Sequence, residues 1–216
     1  MITVAGRAET SAKNSKQILA FGDSLIAGYG LSVQNGFTAK LQAALNKADP
    51  NAMMAPINVI NAGLSGDTSG GGLSRIEWML AGQDYDLILL ELGANDALRG
   101  LDPKQTKLNL DHIIRIIKDQ TNAKILFAGM LAPPNMGADY GDHFNALYPD
   151  LAASHQLPFY PFFLEGVAGI PELNQDDGIH PNPKGVDLIV QNLEACILGL
   201  LDGVESPKTC PIIAAP

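Results

Sequence analysis

Two segments far apart in the chain hold the residue types that nucleophilic acyl transfer needs. Phe21-Gly22-Asp23-Ser24-Leu25 places a serine directly after an apolar run and before a helical pattern. There the hydroxyl sits at a sheet edge, and the Ser24 backbone N–H is one of the unpaired donors of a helix start. Ser and Asp are also the preferred residues of a helix N-cap, so position alone leaves both roles open for Ser24. Asp176-Asp177-Gly178-Ile179-His180-Pro181-Asn182-Pro183 puts Asp177 and His180 three apart, a spacing that brings both to one side of a turn. A carboxylate holding one ring nitrogen of His180 leaves the other to take a proton from serine. The same Asp, Gly, Asn and Pro residues also make an ordinary solvated turn.

Acyl transfer further requires donors aimed at a developing oxyanion. Asn61-Ala62-Gly63-Leu64-Ser65-Gly66-Asp67-Thr68 offers a backbone N–H where glycine lets a ligand approach, and Gly93-Ala94-Asn95-Asp96 offers the Asn95 amide. Both stretches also suit plain turns. The other histidines compete weakly as bases: His112 falls on the outer face of a helical pattern, and His143 and His155 sit in or beside another. No serine is flanked as Gly-x-Ser-x-Gly, which sets aside the usual α/β-hydrolase lipase. The His-Glu-x-x-His, P-loop and complete dinucleotide fingerprints are absent as well, although Gly70–Gly72 keeps a nucleotide- or flavin-binding module in view.

These segments need a scaffold, and the hydrophobic pattern supplies one. Residues 17–21 (QILAF), 57–61 (INVIN), 86–92 (DLILLEL) and 124–129 (KILFAG) read as strands, with 157–163 (LPFYPFF) a fifth, broken by Pro161. Apolar runs without polar alternation are expected of parallel strands buried on both faces. Helical periodicity falls between them, at 37–47, from Pro103 through Ile117, and at 72–80, 142–154 and 183–200. Strands alternating with helices predict one α/β domain with a parallel sheet, spanning 17–201, with a polar lead-in at 1–16 and a tail at 202–216. In such sheets ligands bind beyond the carboxyl ends of the strands. The Gly-rich or polar segments 22–30, 62–72, 93–100 and 132–140 all fall there.

Composition bounds the function. The 216 residues are 46% hydrophobic and 17% charged, enough to bury a core without metal or disulfide staples. A formal charge of -9 argues against a nucleic-acid partner. Two cysteines, Cys196 and Cys210, make neither a disulfide framework nor a zinc site. Cys196 fits a buried helical position, and a Cys196–Cys210 clip is the alternative in an oxidising compartment. No apolar run is long enough for a membrane anchor, and residues 1–16 lack the apolar stretch of a signal peptide.

Taken in order, Gly-Asp-Ser-Leu at 22–25, Gly66, Gly-x-Asn-Asp at 93–96 and Asp-x-x-His at 177–180 resemble the four blocks of the SGNH (GDSL) hydrolases. Residues 61–69 (NAGLSGDTS), 91–100 (ELGANDALRG), 146–151 (ALYPDL) and 175–182 (QDDGIHPN) are similar to its bacterial thioesterase I, lysophospholipase and arylesterase branch. The resemblance runs from about Gln17 to Leu200. It implies a three-layer α/β/α sandwich with a five-stranded parallel sheet of the flavodoxin-like kind. It implies Ser24 as nucleophile, His180 as base then acid, Asp177 as its orienter, and Asp23 as a brace of the first loop. The oxyanion hole would be the N–H groups of Ser24 and Gly66 with the Asn95 amide. The expected partner is a small ester or thioester, cleaved without metal or organic cofactor, and the expected compartment is periplasmic or secreted. A lysophospholipase or acyl-CoA thioesterase, and a non-catalytic carbohydrate-binding relative, remain alternatives. Leu98, Leu101, Leu131 and Met136 are candidates to line an acyl pocket.

Overall fold

Four of the five strands begin and end within about two residues of the apolar runs that encode them, because in a parallel sheet the buried run is the strand. The computed structural model describes residues 15–48 and 55–202. The sheet consists of β1 (Lys16–Gly22), β2 (Ile57–Gly63), β3 (Leu87–Glu91), β4 (Lys124–Ala128) and β5 (Phe159–Tyr160). Its order is β2-β1-β3-β4-β5, and every pair is parallel. β3 is buried along its whole length, and β1 from Ile18 onward.

Two strands depart from the pattern, for different reasons. β2 lies at a sheet edge and alternates buried Ile57 and Val59 with exposed Asn58 and Asn61, so one face of it meets solvent. β5 holds only two paired residues, since Pro161 has no N–H to continue the ladder.

The helices are α1 (Ser24–Ala27), α2 (Phe37–Lys47), α3 (Ser69–Leu80), α4 (Ala94–Leu98), α5 (Pro103–Gln120), α6 (Ala138–His155) and α7 (Pro183–Leu201). α2 packs with α7, while α3, α5 and α6 pack in succession. Right-handed crossovers place these two groups on opposite faces of the sheet, which yields the three layers. One apolar cluster joins both groups through the sheet.

α3 begins three residues before the periodic stretch, with the Thr68 hydroxyl accepting from the Gly71 N–H. Gly70–Gly72 is therefore the first turn of a helix. α6 likewise starts four residues early, at Ala138. Cys196 is buried in α7, whereas Cys210 lies outside the described residues, as do most of the lead-in and the tail. No helix among the described residues is long and apolar enough to cross a membrane.

The topology fixes where a site belongs. From β1 the chain crosses to β2 on one side and returns to β3 on the other, so the carboxyl ends of β1 and β3 border a crevice. Ser24 follows β1 and Asn95 follows β3.

Candidate active site

α1 is a single turn, and its cap is Asp23 rather than Ser24. The Asp23 carboxylate accepts from the Leu25 N–H at 3.0 Å, which leaves Ser24 as the first helical residue. The cap reading of Ser24 thus gives way, and its hydroxyl is available for other bonds. The Ser24 Oγ lies 2.9 Å from His180 Nε2, and His180 Nδ1 lies 2.7 Å from Asp177 Oδ2. With its proton on Nδ1, the imidazole donates to Asp177 and accepts from the serine hydroxyl.

The turn before α7 makes this relay possible. Asp177 Oδ1 accepts from the N–H groups of Ile179 and His180 at 2.9 and 3.0 Å, which frees Oδ2 to face the ring. The His180 N–H, the Ile179 N–H and the ring together hold the Asp177 carboxyl down at about 2. The turn is closed by the Gln175 N–H donating to the His180 carbonyl at 2.8 Å and by an antiparallel bridge between Asn174 and Pro181.

Asn95 sits in the first turn of α4, with its Nδ2 donating to Asp23 Oδ2 at 3.1 Å. That contact uses one amide hydrogen and fixes which way the amide faces; the second hydrogen is not consumed by it. Gly66 has φ of +81°, a left-handed conformation that a side chain would strain. Its carbonyl accepts from Arg99 at 2.8 Å. Leu64 N–H, two residues earlier, donates to the Gly22 carbonyl at 3.1 Å and ties the β2–α3 loop to the loop that bears Ser24. Neither the Ser24 nor the Gly66 N–H has an acceptor among the described residues. Both remain open to an anion.

Beneath these loops lie residues that local pattern did not single out. Arg75 of α3 donates to Asp67 Oδ2 at 2.7 Å and to the carbonyls of Ala62 and Gly22 at 2.8 Å each, with its guanidinium 4.0 Å above the Phe21 ring. Glu91 ends β3 beside Gly22 in the sheet register and is fully buried. Its Oε2 accepts from the Asp23 N–H at 3.4 Å, and its Oε1 has no partner among the described residues. Burial, and then the adjacent Asp23, push the Glu91 carboxyl well above the usual range. Burial likewise raises Asp23, to about 6, against the pull of the Leu25 N–H and the Asn95 amide. Asp96, also buried, receives the N–H and hydroxyl of Ser69 and the hydroxyl of Thr106, joining α3, α4 and α5. Only sheet register and long-range partners mark Arg75 and Glu91, so a one-dimensional reading has no signal for them, whereas Asp23 and Asp96 fall inside the segments already named.

An open groove of about 460 Å³ runs from Ser24, Asn95 and His180 along Leu98, Leu131 and Ile179. Its wall is mainly apolar. Leu98 and Leu131 line it as expected, whereas Leu101 and Met136 do not. The remaining histidines stand elsewhere: His112 is exposed, His143 bonds the Asp139 carbonyl, and His155 pairs with Asp111 at 2.6 Å.

Comparison with known proteins places this geometry in context. A model of the GDSL-like lipase/acylhydrolase family matches residues 20–188. An arylesterase of Vibrio mimicus is 41% identical over 177 residues, covering 82% of this chain and 86% of that protein. A thioesterase 1/protease 1/lysophospholipase L1 of Escherichia coli K12 is 40% identical, covering 76% of this chain and 75% of that protein. The crystal structure of AlinE4, an SGNH-hydrolase family esterase, is 41% identical with a TM-score of 0.71, covering 89% of this chain and 98% of that chain.

Proposed function

The chain belongs to the GDSL-like lipase/acylhydrolase family and is a carboxylic ester hydrolase, and from that premise we propose that Ser24, His180 and Asp177 are its catalytic triad. The observation that carries this reading is the unbroken relay from Ser24 Oγ to His180 Nε2 at 2.9 Å and from His180 Nδ1 to Asp177 at 2.7 Å. Ser24 attacks the ester carbonyl as His180 takes its proton. The tetrahedral oxyanion accepts from the N–H groups of Ser24 and Gly66 and from the Asn95 amide. Collapse of that intermediate transfers the proton from His180 to the leaving oxygen and leaves an acyl-enzyme. Water, deprotonated by His180, then releases the acid.

The apolar groove supports an acyl chain as the group bound beside the nucleophile, with short-to-medium acyl or aryl esters as substrates. Thioesters are a second reading, favoured by the 40% identity to a protein named as both thioesterase and lysophospholipase. Ser24→Ala tests the nucleophile: turnover should fall by several orders of magnitude, approaching the roughly 10⁶-fold losses typical of triads, and fluorophosphonate labelling should vanish. Full labelling of that variant would place the nucleophile elsewhere. A series of p-nitrophenyl esters of increasing chain length, run beside one acyl-CoA, separates the two substrate readings.

A further inference from the structure

The nucleophile loop and the Asp177–His180 turn come from opposite ends of the chain, and something must hold them in register for Ser24 to meet His180. Gln175 Nε2 donates to the Tyr29 carbonyl at 2.8 Å and to the Pro181 carbonyl at 3.0 Å, so one side-chain amide spans both segments. Gly30 makes room for it, since a side chain there would collide with the Gln175 amide. On the same side, the Tyr29 ring lies on the His180 imidazole, with centroids 4.5 Å apart and planes tilted by 37°. Tyr29 is half exposed, so its ring is not held there by core packing.

We propose that Tyr29 and Gln175 form a latch between the two loops, which holds the imidazole on Ser24 and stabilises its protonated form against the tyrosine ring face. The latch rests on the triad reading above and assigns both residues as positioning residues that act through His180.

The physical argument has two parts. First, the amide fixes distance. Without its two bonds, the turn keeps its internal closure but loses its polar tether to the Tyr29 backbone, and the 2.9 Å serine–imidazole contact is left to hold itself. Second, the ring supplies a fixed negative quadrupole within the roughly 6 Å reach of a cation–π contact, and the imidazole is cationic during each acyl-transfer step. The charged groups facing His180 are Asp177 on its own turn and Asp23 on the nucleophile loop. Asp177 is ionised throughout and Asp23 wherever the pH lies above about 6; each favours the imidazolium when charged, so the ring adds to a field of the same sign.

The test measures kcat/KM for p-nitrophenyl butyrate against pH, together with the pH dependence of fluorophosphonate labelling, which reads the same base without turnover. In Tyr29→Leu the acid limb of both profiles should move to lower pH by about half a unit, the equivalent of a cation–π contact near 0.7 kcal/mol. Tyr29→Phe should restore the limb, because the ring and not the hydroxyl carries the effect. Gln175→Ala should lower kcat roughly ten- to a hundredfold with little change in KM, the signature of a misplaced base. An acid limb that stays put or moves to higher pH in Tyr29→Leu overturns the ring's role. Unchanged kcat in Gln175→Ala overturns the tether. His180→Ala separates this from the triad: if that variant keeps turnover and labelling, the triad reading falls, whereas if it is inactive and the latch variants behave as wild type, only the latch does.

Discussion

In the proposed triad Asp177 does two jobs with its two oxygens, and that division explains how a surface-proximal carboxylate would orient a base. Oδ1 accepts two backbone N–H groups, and Oδ2 is thereby aimed at His180. These donors hold its carboxyl at about 2, so it stays ionised throughout the range in which an imidazole titrates. Asp177 itself therefore does not set the acid limb of activity, whereas Asp23, raised to about 6, titrates close to it. Because the folded value is depressed, Asp177 also adds stability that is present above about 3.8 and lost as pH falls through about 2, an effect weakened by its exposure to solvent. Asp177→Asn keeps an acceptor for the turn but presents an N–H to Nδ1. That forces the imidazole proton to the wrong nitrogen, and kcat should fall about 10⁴-fold in a protein whose circular dichroism is unchanged. Asn95 invites a finer test, because it already donates one hydrogen to Asp23. If its second hydrogen serves the oxyanion, Asn95→Ala lowers kcat about 10²- to 10³-fold at nearly constant KM, since the charge it answers exists only in the transition state. A lowered melting temperature with normal kcat per folded molecule would instead make Asn95 a structural tie.

At the scale of elements, the site is assembled by α3 reaching under two loops. Arg75 holds the end of β1, the end of β2 and Asp67 in one guanidinium fork. Arg75→Lys should not substitute, because an ammonium cannot reproduce three planar donors. Breaking this largely buried pair should cost on the order of 3 kcal/mol in urea unfolding. As the β2–α3 loop relaxes, kcat should fall at nearly constant KM. A variant that loses stability but keeps kcat would show that the loop bearing Gly66 holds its shape without Arg75. The contrast between Arg75 and Ser24 also explains what the sequence made legible. Ser24, Asp177, His180, Asn95 and Gly66 lie in short segments that each also suit a plain cap or turn, and what named them was the order of four such blocks along the chain, which resembles that of the SGNH (GDSL) hydrolases. The strands were legible because burial on both faces removes polar alternation, and β5 shrank where Pro161 interrupts it. Arg75, Glu91, Tyr29 and Gln175 act across the sheet or across the chain; the Gln175–Tyr29 bond spans 146 positions. No local period encodes such a partner. The helix starts at Ser69 and Ala138 were missed because their first turns are rich in glycine or polar residues, and in α3 a cap, not an apolar stripe, begins the helix.

For the molecule as a whole, the site imposes a pH dependence on folding through the acids beneath it. Glu91 is fully buried next to Asp23, and its carboxyl holds a proton well above the pH at which an exposed glutamate releases it. The unfolded chain gives up that proton near 4.5, while the folded protein keeps it. Between those two values the folded state binds more protons, so stability declines as pH rises, by about 1.4 kcal/mol per pH unit for one full proton. Asp23, raised to about 6, contributes in the same direction, over the narrower window from about 3.8 to 6. A chain of net charge -9 also suffers general repulsion as pH rises, and the raw slope mixes the two causes. Glu91→Gln separates them. It keeps the shape of the neutral acid and cannot ionise, while the surface charges that drive general repulsion are untouched. Unfolding free energies of wild type and variant, measured in urea at half-unit steps from pH 5 to pH 9, should diverge as pH rises, with the wild type falling more steeply. The two curves should run parallel only above the pH at which the folded wild type finally ionises Glu91. Parallel curves across the whole range would mean that Glu91 releases its proton equally in both states, and the buried acid under the nucleophile loop would then be charged in the working enzyme.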